Sequence, residues 1–168
     1  MVVHPGASAP ARAWAPRRHA ALVAALVAAG RRVVVTGDEH ERALTALVAG
    51  PPRAGVVDLG GQVCLAGLAE VLAGAEAVVV GNTGPAHLAA AVGTPVVSLF
   101  APVVPAVRWR PWKVPHLLLG DQAAACAGSR ARICPVPGHP CLDGVQVDEV
   151  VAAVDRLAPV PEPEGVAR

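Results

Sequence analysis

Val78-Val79-Val80-Gly81-Asn82-Thr83-Gly84-Pro85-Ala86-His87-Leu88-Ala89-Ala90-Ala91 is the stretch that decides how the rest of this chain reads. Val78 to Val80 form a β-branched apolar run suited to a buried strand. Gly81 and Gly84 bracket a turn, and Pro85 stands where a helix accepts proline best, at its first positions. Thr83 or Gly84 can serve as the N-cap. A strand, a tight turn and a helix start gather unpaired backbone N–H groups beside Asn82, Thr83 and His87. That setting suits a phosphate or pyrophosphate. An ordinary capped turn fits the same local sequence.

Outward from this stretch the pattern repeats. Strands are expected at Met1–His4, Val33–Thr36, Gly55–Leu59, Ala77–Val80 and Val96–Phe100, with helices at Arg17–Ala29, Glu39–Val48, Cys64–Ala73 and from Pro85 through Val92. Strands alternating with helices of about ten residues imply right-handed βαβ units. The predicted fold is therefore α/β: a Rossmann-like parallel sheet with helices on both faces. Ligands of such sheets gather at the carboxyl ends of the strands. Here those ends carry Pro5-Gly6-Ala7-Ser8, Gly37-Asp38, Gly60-Gly61, Gly81-Asn82-Thr83-Gly84 and Ala101-Pro102. Their convergence favours the phosphate site over the plain turn.

Past Phe100 the rhythm stops. Residues 101–115 form a proline-rich irregular segment with Trp109 and Trp112, Leu117–Leu119 reads as a short sixth strand, and residues 121–144 form a long loop. Val147–Leu157 returns to helical spacing. One domain is expected over residues 1–158, followed by a frayed Pro/Glu-rich tail at 159–168.

Hydrophobic residues make up 54% of the 168 and charged residues 16%, with one Phe and no Tyr, so the core must be built from Ala, Val and Leu. A formal charge of +1 offers no basic stripe for a nucleic-acid backbone. The low charge also leaves apolar surface to meet a partner, another domain or a membrane face. No signal-peptide order is present at the amino terminus, and a soluble cytoplasmic chain is expected. Gly-x-Ser-x-Gly, a Walker A loop and Gly-x-Gly-x-x-Gly after the first strand are all missing, which disfavours a serine hydrolase, a P-loop enzyme and a dinucleotide oxidoreductase. No catalytic residue and no cofactor can be assigned. Arg12 is the best cation to neutralise a diphosphate, because a guanidinium binds phosphate through two N–H groups; a solvated surface arginine is the competing reading.

The long loop carries Cys126, Cys134, His139 and Cys141 in the spacing Cys-x7-Cys-x4-His-x-Cys. Three thiolates and an imidazole could hold tetrahedral zinc. The tight Cys-x2-Cys knuckle is absent, which favours reduced or buried cysteines over zinc or a disulfide. Cys64 reads as a small core residue at a helix start.

Taken together, His4-Pro5-Gly6-Ala7-Ser8, Arg12-Ala13-Trp14, Asn82 through Ala91, Pro95 and Leu99-Phe100-Ala101-Pro102 resemble the carboxyl-terminal half of glycosyltransferase family 9, the heptosyltransferase-like enzymes. The resemblance runs from Val2 to Leu157. It implies a domain of a GT-B fold that binds a nucleotide diphosphate sugar, within an inverting glycosyltransferase that passes the sugar to a glycan or lipid-linked acceptor hydroxyl in cell-surface glycan or lipopolysaccharide biosynthesis. It further implies that Asn82, Thr83, Gly84, His87, Ser8 and Arg12 meet the donor diphosphate, with Pro5, Gly6 and Ala7 as the supporting turn. The pattern usually has aspartate where this chain has Asn82. On this reading the chain is expected to be a carboxyl-terminal domain alone, incomplete and inactive without a separate amino-terminal acceptor domain, the complete enzyme being open to peripheral membrane-surface association. A non-enzymatic nucleotide- or phosphate-binding module, or a degenerate structural domain, is the alternative.

Overall fold

The valine triplets do become strands, and they lie side by side. The computed structural model describes residues 1–159. Six strands, β1 (Val2–His4), β2 (Val33–Val35), β3 (Val56–Asp58), β4 (Val78–Gly81), β5 (Val96–Leu99) and β6 (His116–Leu119), form one sheet in the order β3-β2-β1-β4-β5-β6. Every pairing is parallel. β1 is central, with Val2 opposite both Val34 and Val78 and His4 opposite Val80.

Because side chains alternate across a strand, each triplet feeds two cores. Val3, Val35, Val79 and Val97 face one side, against Leu22, Val23 and Leu26 of α1 (Pro16–Ala28), Val48 of α2 (Arg42–Ala49) and Val150, Ala153 and Val154 of α7 (Val147–Leu157). Val2, Val78, Val80 and Val96 face the other, against Leu72 of α3 (Leu65–Ala73) and Ala86 and Ala89 of α4 (Gly84–Ala91). A sheet buried on both faces needs near-continuous apolar strands, which is why the strands read as valine runs. Arg31, just past α1, is buried and ties α7 to this layer: Nη2 donates to Asp155 Oδ1 at 2.7 Å and to the Ala158 carbonyl at 2.6 Å.

The differences from the sequence reading are local. Glu39–Glu41 is a 3-10 turn ahead of α2, held by the capping box of Asp38 and Glu41, so the second helix proper starts at Arg42 rather than Glu39. Three further short elements lie in stretches read as loop: a 3-10 turn at Pro10–Arg12, α5 (Ala106–Trp109) and α6 (Pro140–Asp143). The tail expected to fray falls at residues 160–168, outside the described residues, except for Pro159. Among the described residues no helix is long and apolar enough to cross a membrane.

The strand order has a functional corollary. The chain leaves β1 toward β2 on one side, and β4 returns on the other, so the direction of winding reverses between β1 and β4. The loops that follow those two strands diverge and leave a crevice, the usual place for a ligand in an open α/β sheet.

Candidate active site at the sheet switch point

That crevice is a cavity of about 350 Å³ lined by His4, Gly6, Ala7 and Ser8 from the loop after β1, by Gly37, Asp38 and Glu41 after β2, and by Thr83, Gly84 and Pro85 at the start of α4. Val63, Cys64, Leu65 and Leu68 supply an apolar wall from the start of α3. A roomier hollow of about 510 Å³ lies at the opposite end of the sheet, around Arg31–Val34 and Val56–Val57, where strands begin rather than end.

Five predicted residues thus meet in one place: Ser8, Thr83 and Gly84, with Gly6 and Ala7 beneath them. The α4 start is arranged as its sequence requires. Thr83 is the extended N-cap residue, Pro85 has no N–H to leave unpaired, and the Ala86 N–H bonds the Thr83 carbonyl at 3.1 Å. The Gly84 N–H remains as a donor at the positive end of the helix dipole.

Arg12 reaches the same corner from the 3-10 turn. It stands behind the turn rather than in the cavity lining: Nη1 lies 3.4 Å from the Asn82 carbonyl, and the buried Nε has no partner among the described residues. Its approach depends on Gly81, where a Cβ would stand 3.2 Å from the Arg12 carbonyl. Trp14 anchors the segment two residues on, fully buried and edge-on to His19 at 4.9 Å between ring centroids.

Two predicted contacts are placed differently. The Asn82 side chain is buried and turned toward the next loop: Nδ2 donates to the Ala101 carbonyl at 3.1 Å, and Oδ1 accepts from the Ala101 N–H at 3.2 Å. Both ends of the amide are engaged, which fixes its orientation and ties the end of β4 to the end of β5. His87 is exposed on α4, outside the cavity lining, with its ring tilted against Trp109 at 6.2 Å.

The carboxylates of the cavity are the part that sequence reasoning missed. Asp38 Oδ1 accepts from the backbone N–H of His40 and Glu41, at 2.8 and 3.1 Å, and Glu41 Oε2 accepts from the Asp38 N–H at 3.0 Å. The Glu41 carboxylate lies over Gly6, where any Cβ would overlap it. The signal was the Asp-x-x-Glu spacing directly after a strand, which marks a capping box. His4 supports this wall through Nδ1 to Thr36 Oγ1 at 3.0 Å, with Nε2 at 3.7 Å from Glu41. Burial pushes the His4 ring down to about 4, outweighing the opposing pull of Asp38. At neutral pH the ring is uncharged, and its approach to Glu41 is a polar contact rather than an ion pair.

The cysteine loop does not assemble as a metal site. Among the described residues no group of three or more His, Cys, Asp and Glu side chains is placed to hold a metal ion. His139 Nε2 is committed to the Ala11 carbonyl at 3.1 Å and Cys134 to the Val136 carbonyl at 3.3 Å, while Cys126 and Cys141 are buried. Burial, reinforced by neighbouring Cys126, pushes the Cys141 thiol up to about 11, so it is protonated at neutral pH. The loop instead braces the Arg12 segment: Arg132 Nη2 donates to the Ser8 carbonyl at 3.0 Å, and the Ala11 N–H bonds the Arg132 carbonyl at 2.9 Å.

The family model for glycosyltransferase family 9 (heptosyltransferase) matches residues 1–137, a run that contains every strand and the whole cavity. The chain belongs to glycosyltransferase family 9. It is 30% identical over 165 residues to lipopolysaccharide heptosyltransferase 3 of Escherichia coli, covering 95% of this chain and 47% of that protein. In fold it is similar to a family 9 glycosyltransferase of Veillonella parvula, with a TM-score of 0.76 at 16% identity over 94% of this chain and 46% of that one. It is likewise similar to an Escherichia coli heptosyltransferase solved with ADP, with a TM-score of 0.71 at 24% identity over 94% of this chain and 44% of that one. The chain spans about half the length of the relatives it matches.

These matches correct the sequence reading. The family match and the structural matches run over nearly all of this chain as a single GT-B-like α/β domain. Its description as a carboxyl-terminal half alone is therefore withdrawn, together with the expectation that it is an incomplete donor-binding fragment, inactive for want of a separate domain. Membership of the family attaches to the chain itself.

Proposed function

We propose that the chain acts in the cytoplasm as a glycosyltransferase that uses a nucleotide diphosphate sugar, with the crevice between the β1 and β4 loops as its donor site. The observation that carries this reading is the arrangement of polar groups around the crevice. At one end stand the Gly84 N–H and the Thr83 and Ser8 hydroxyls, with Arg12 behind the same turn at the Asn82 carbonyl. At the other stand the Asp38 and Glu41 carboxylates.

An anion is repelled by the carboxylate end and held at the other. The diphosphate accordingly belongs beside Thr83, Gly84 and Arg12. The carboxylates suit hydroxyl groups, which donate hydrogen bonds to them, and so point to the ribose of the nucleoside. The apolar wall of Val63, Leu65 and Leu68 suits the flat face of a base. This division follows from charge and hydrogen-bonding capacity.

It also suggests how the site would promote transfer. As the bond from the sugar to the diphosphate breaks, negative charge grows on the departing phosphate. Donors already in place stabilise that charge more than they stabilise the intact donor, which lowers the barrier. Arg12 and the Gly84 N–H have that part, with Asn82 and Ala101 fixing the turn that carries them. The relatives' names, lipopolysaccharide heptosyltransferases and one solved with ADP, suggest ADP and a heptose as the first donor to try.

Calorimetric titration of the 168-residue chain with ADP, UDP and GDP tests the reading. Binding of at least one nucleoside diphosphate is expected, weakened at least tenfold by Arg12→Ala, the loss of about 1.4 kcal/mol or more expected for a charge-assisted hydrogen bond. Failure of all three to bind, or binding indifferent to Arg12→Ala, would overturn it.

A further inference from the structure

We propose that the arch from Val107 to Lys113, which carries the chain from β5 to β6, is a docking surface for an anionic lipid bilayer. The chain has only four aromatic residues of the Phe, Tyr and Trp type, three Trp and one Phe. Trp14 and Phe100 are buried in the core, whereas Trp109 and Trp112 are 49% and 66% exposed, beside Val107 at 78%. A protein this poor in large side chains gains most by burying them. Leaving two in solvent on one short arch marks a surface that something else covers.

The charges identify what covers it. From Ala77 to Gly120 the sequence has no Asp or Glu, and its only Lys and Arg residues are Arg108, Arg110 and Lys113, all in the arch. Each is exposed, and none forms an ion pair among the described residues. Lys113 lies over the Trp112 ring, 6.0 Å from its centroid. Cations therefore alternate with indoles along the arch.

Pro111, buried between the two tryptophans, fixes the arch to the body of the protein while its neighbours stand out. Tryptophan favours the headgroup level of a bilayer, where its ring is half immersed and its N–H stays wet. Arginine and lysine reach from the same depth to phosphate headgroups. Tryptophan and arginine also favour protein interfaces, so what selects a bilayer is the run of three cations with no carboxylate among them, a single-sign surface that matches anionic headgroups.

Position adds a reason. Trp109 touches His87 on α4, the helix whose first residues line the crevice. A bilayer engaged by the arch would hold the crevice close to the membrane surface, within reach of a lipid-linked substrate. The proposal stands apart from the nucleotide reading, because it concerns the outer side of α4 and is tested without nucleotide.

The test is co-sedimentation of the 168-residue chain with vesicles of phosphatidylcholine alone or mixed with phosphatidylglycerol, with tryptophan emission read in parallel. Binding is expected only to the mixed vesicles, weakened by salt, with a blue shift as Trp109 and Trp112 leave water. Arg108→Gln, Arg110→Gln and Lys113→Gln together should weaken partitioning on the order of a hundredfold, about fivefold for each charge. Trp109→Ala with Trp112→Ala should abolish the blue shift, since the remaining Trp14 is buried. All substituted positions are exposed, so an unchanged circular dichroism spectrum checks that the variants fold. Absence of binding to mixed vesicles would overturn the proposal, as would equal binding by the triple variant, or tighter binding to an oligonucleotide than to the vesicles.

Discussion

Replacing Asn82 by aspartate restores the residue more usual at this place in the family's motif, and the structure predicts that this chain will not tolerate it well. The asparagine amide both donates to and accepts from Ala101, at 3.1 and 3.2 Å, in a buried site. A carboxylate can still accept from the Ala101 N–H, but its second oxygen then faces the Ala101 carbonyl with no proton between them. One hydrogen bond is lost, about 1 kcal/mol, and a charged acceptor is left desolvated, about 1–3 kcal/mol more. Some relaxation of the loop offsets this, for an expected deficit of roughly 2–3 kcal/mol at neutral pH. In a chain of this length that lowers Tm by roughly 5–10 °C.

The deficit carries its own signature. Protonating the introduced carboxyl gives it back a donor, and burial raises its folded-state pKa above the unfolded value. The destabilisation is thus full above the folded pKa and fades as pH falls through it. Asn82→Ala loses both bonds at every pH. Urea unfolding of the three proteins across a pH series measures this. If Asn82→Asp stays within about 0.5 kcal/mol of the parent, or if its deficit is flat with pH, the amide bridge does not do what the geometry says.

Three other outcomes follow from the same structure. Gly6→Ala should cost about 1 kcal/mol of stability, because the end of the Glu41 side chain must move aside and give up its bond to the Asp38 N–H; nucleoside diphosphate affinity, read by calorimetry, should fall at least tenfold as that carboxylate is displaced from the crevice. His4 and His19 are both held near 4 by burial, against 6.5 when exposed, so the unfolded chain takes up more protons between those values. Stability should therefore drop as pH falls from 6.5 toward 4, by up to about 3 kcal/mol for each ring, and His19→Phe should remove about half of that slope in urea unfolding. Arg31→Ala should cost about 2 kcal/mol, since the acidic partners Asp155 and Glu76 are more than half exposed and screened; the larger effect should be faster amide exchange along α7.

Much of this was legible in the residues. Short Val- or Leu-rich runs separated by Gly and Pro turns allowed all six strands to be located within a residue or two, because the central strands, buried on both faces, leave little other composition available. Ser8, Thr83 and Gly84 could be placed together because parallel strands deliver their carboxyl ends to one side. What was not legible was side-chain direction. Asn82 and His87 sit in the same motif as Thr83, yet one turns into the β4–β5 junction and the other outward to Trp109. That choice is set by Ala101 and Trp109, residues distant in sequence that no local pattern couples to the motif. Asp38 was legible only as a strand-end turn residue and Glu41 only as part of the second helix; their reach into the crevice depends on Gly6 lying beneath them. The cysteine spacing left zinc open as the weaker reading, because spacing along a loop says nothing of whether His139 is free, and Ala11 takes it.

The bracing of the Ser8–Arg12 segment by the cysteine loop bears on when the site comes into being. The sheet around β1 and β4 needs only the first hundred residues, whereas the bonds from Arg132 to Ser8 and from His139 to Ala11 span 124 and 128 positions. Contacts so far apart in sequence close slowly. During synthesis or refolding, the strands can assemble well before the loop that carries Arg12 is fastened. Competence to hold a diphosphate is then acquired last, on arrival of the final third of the chain.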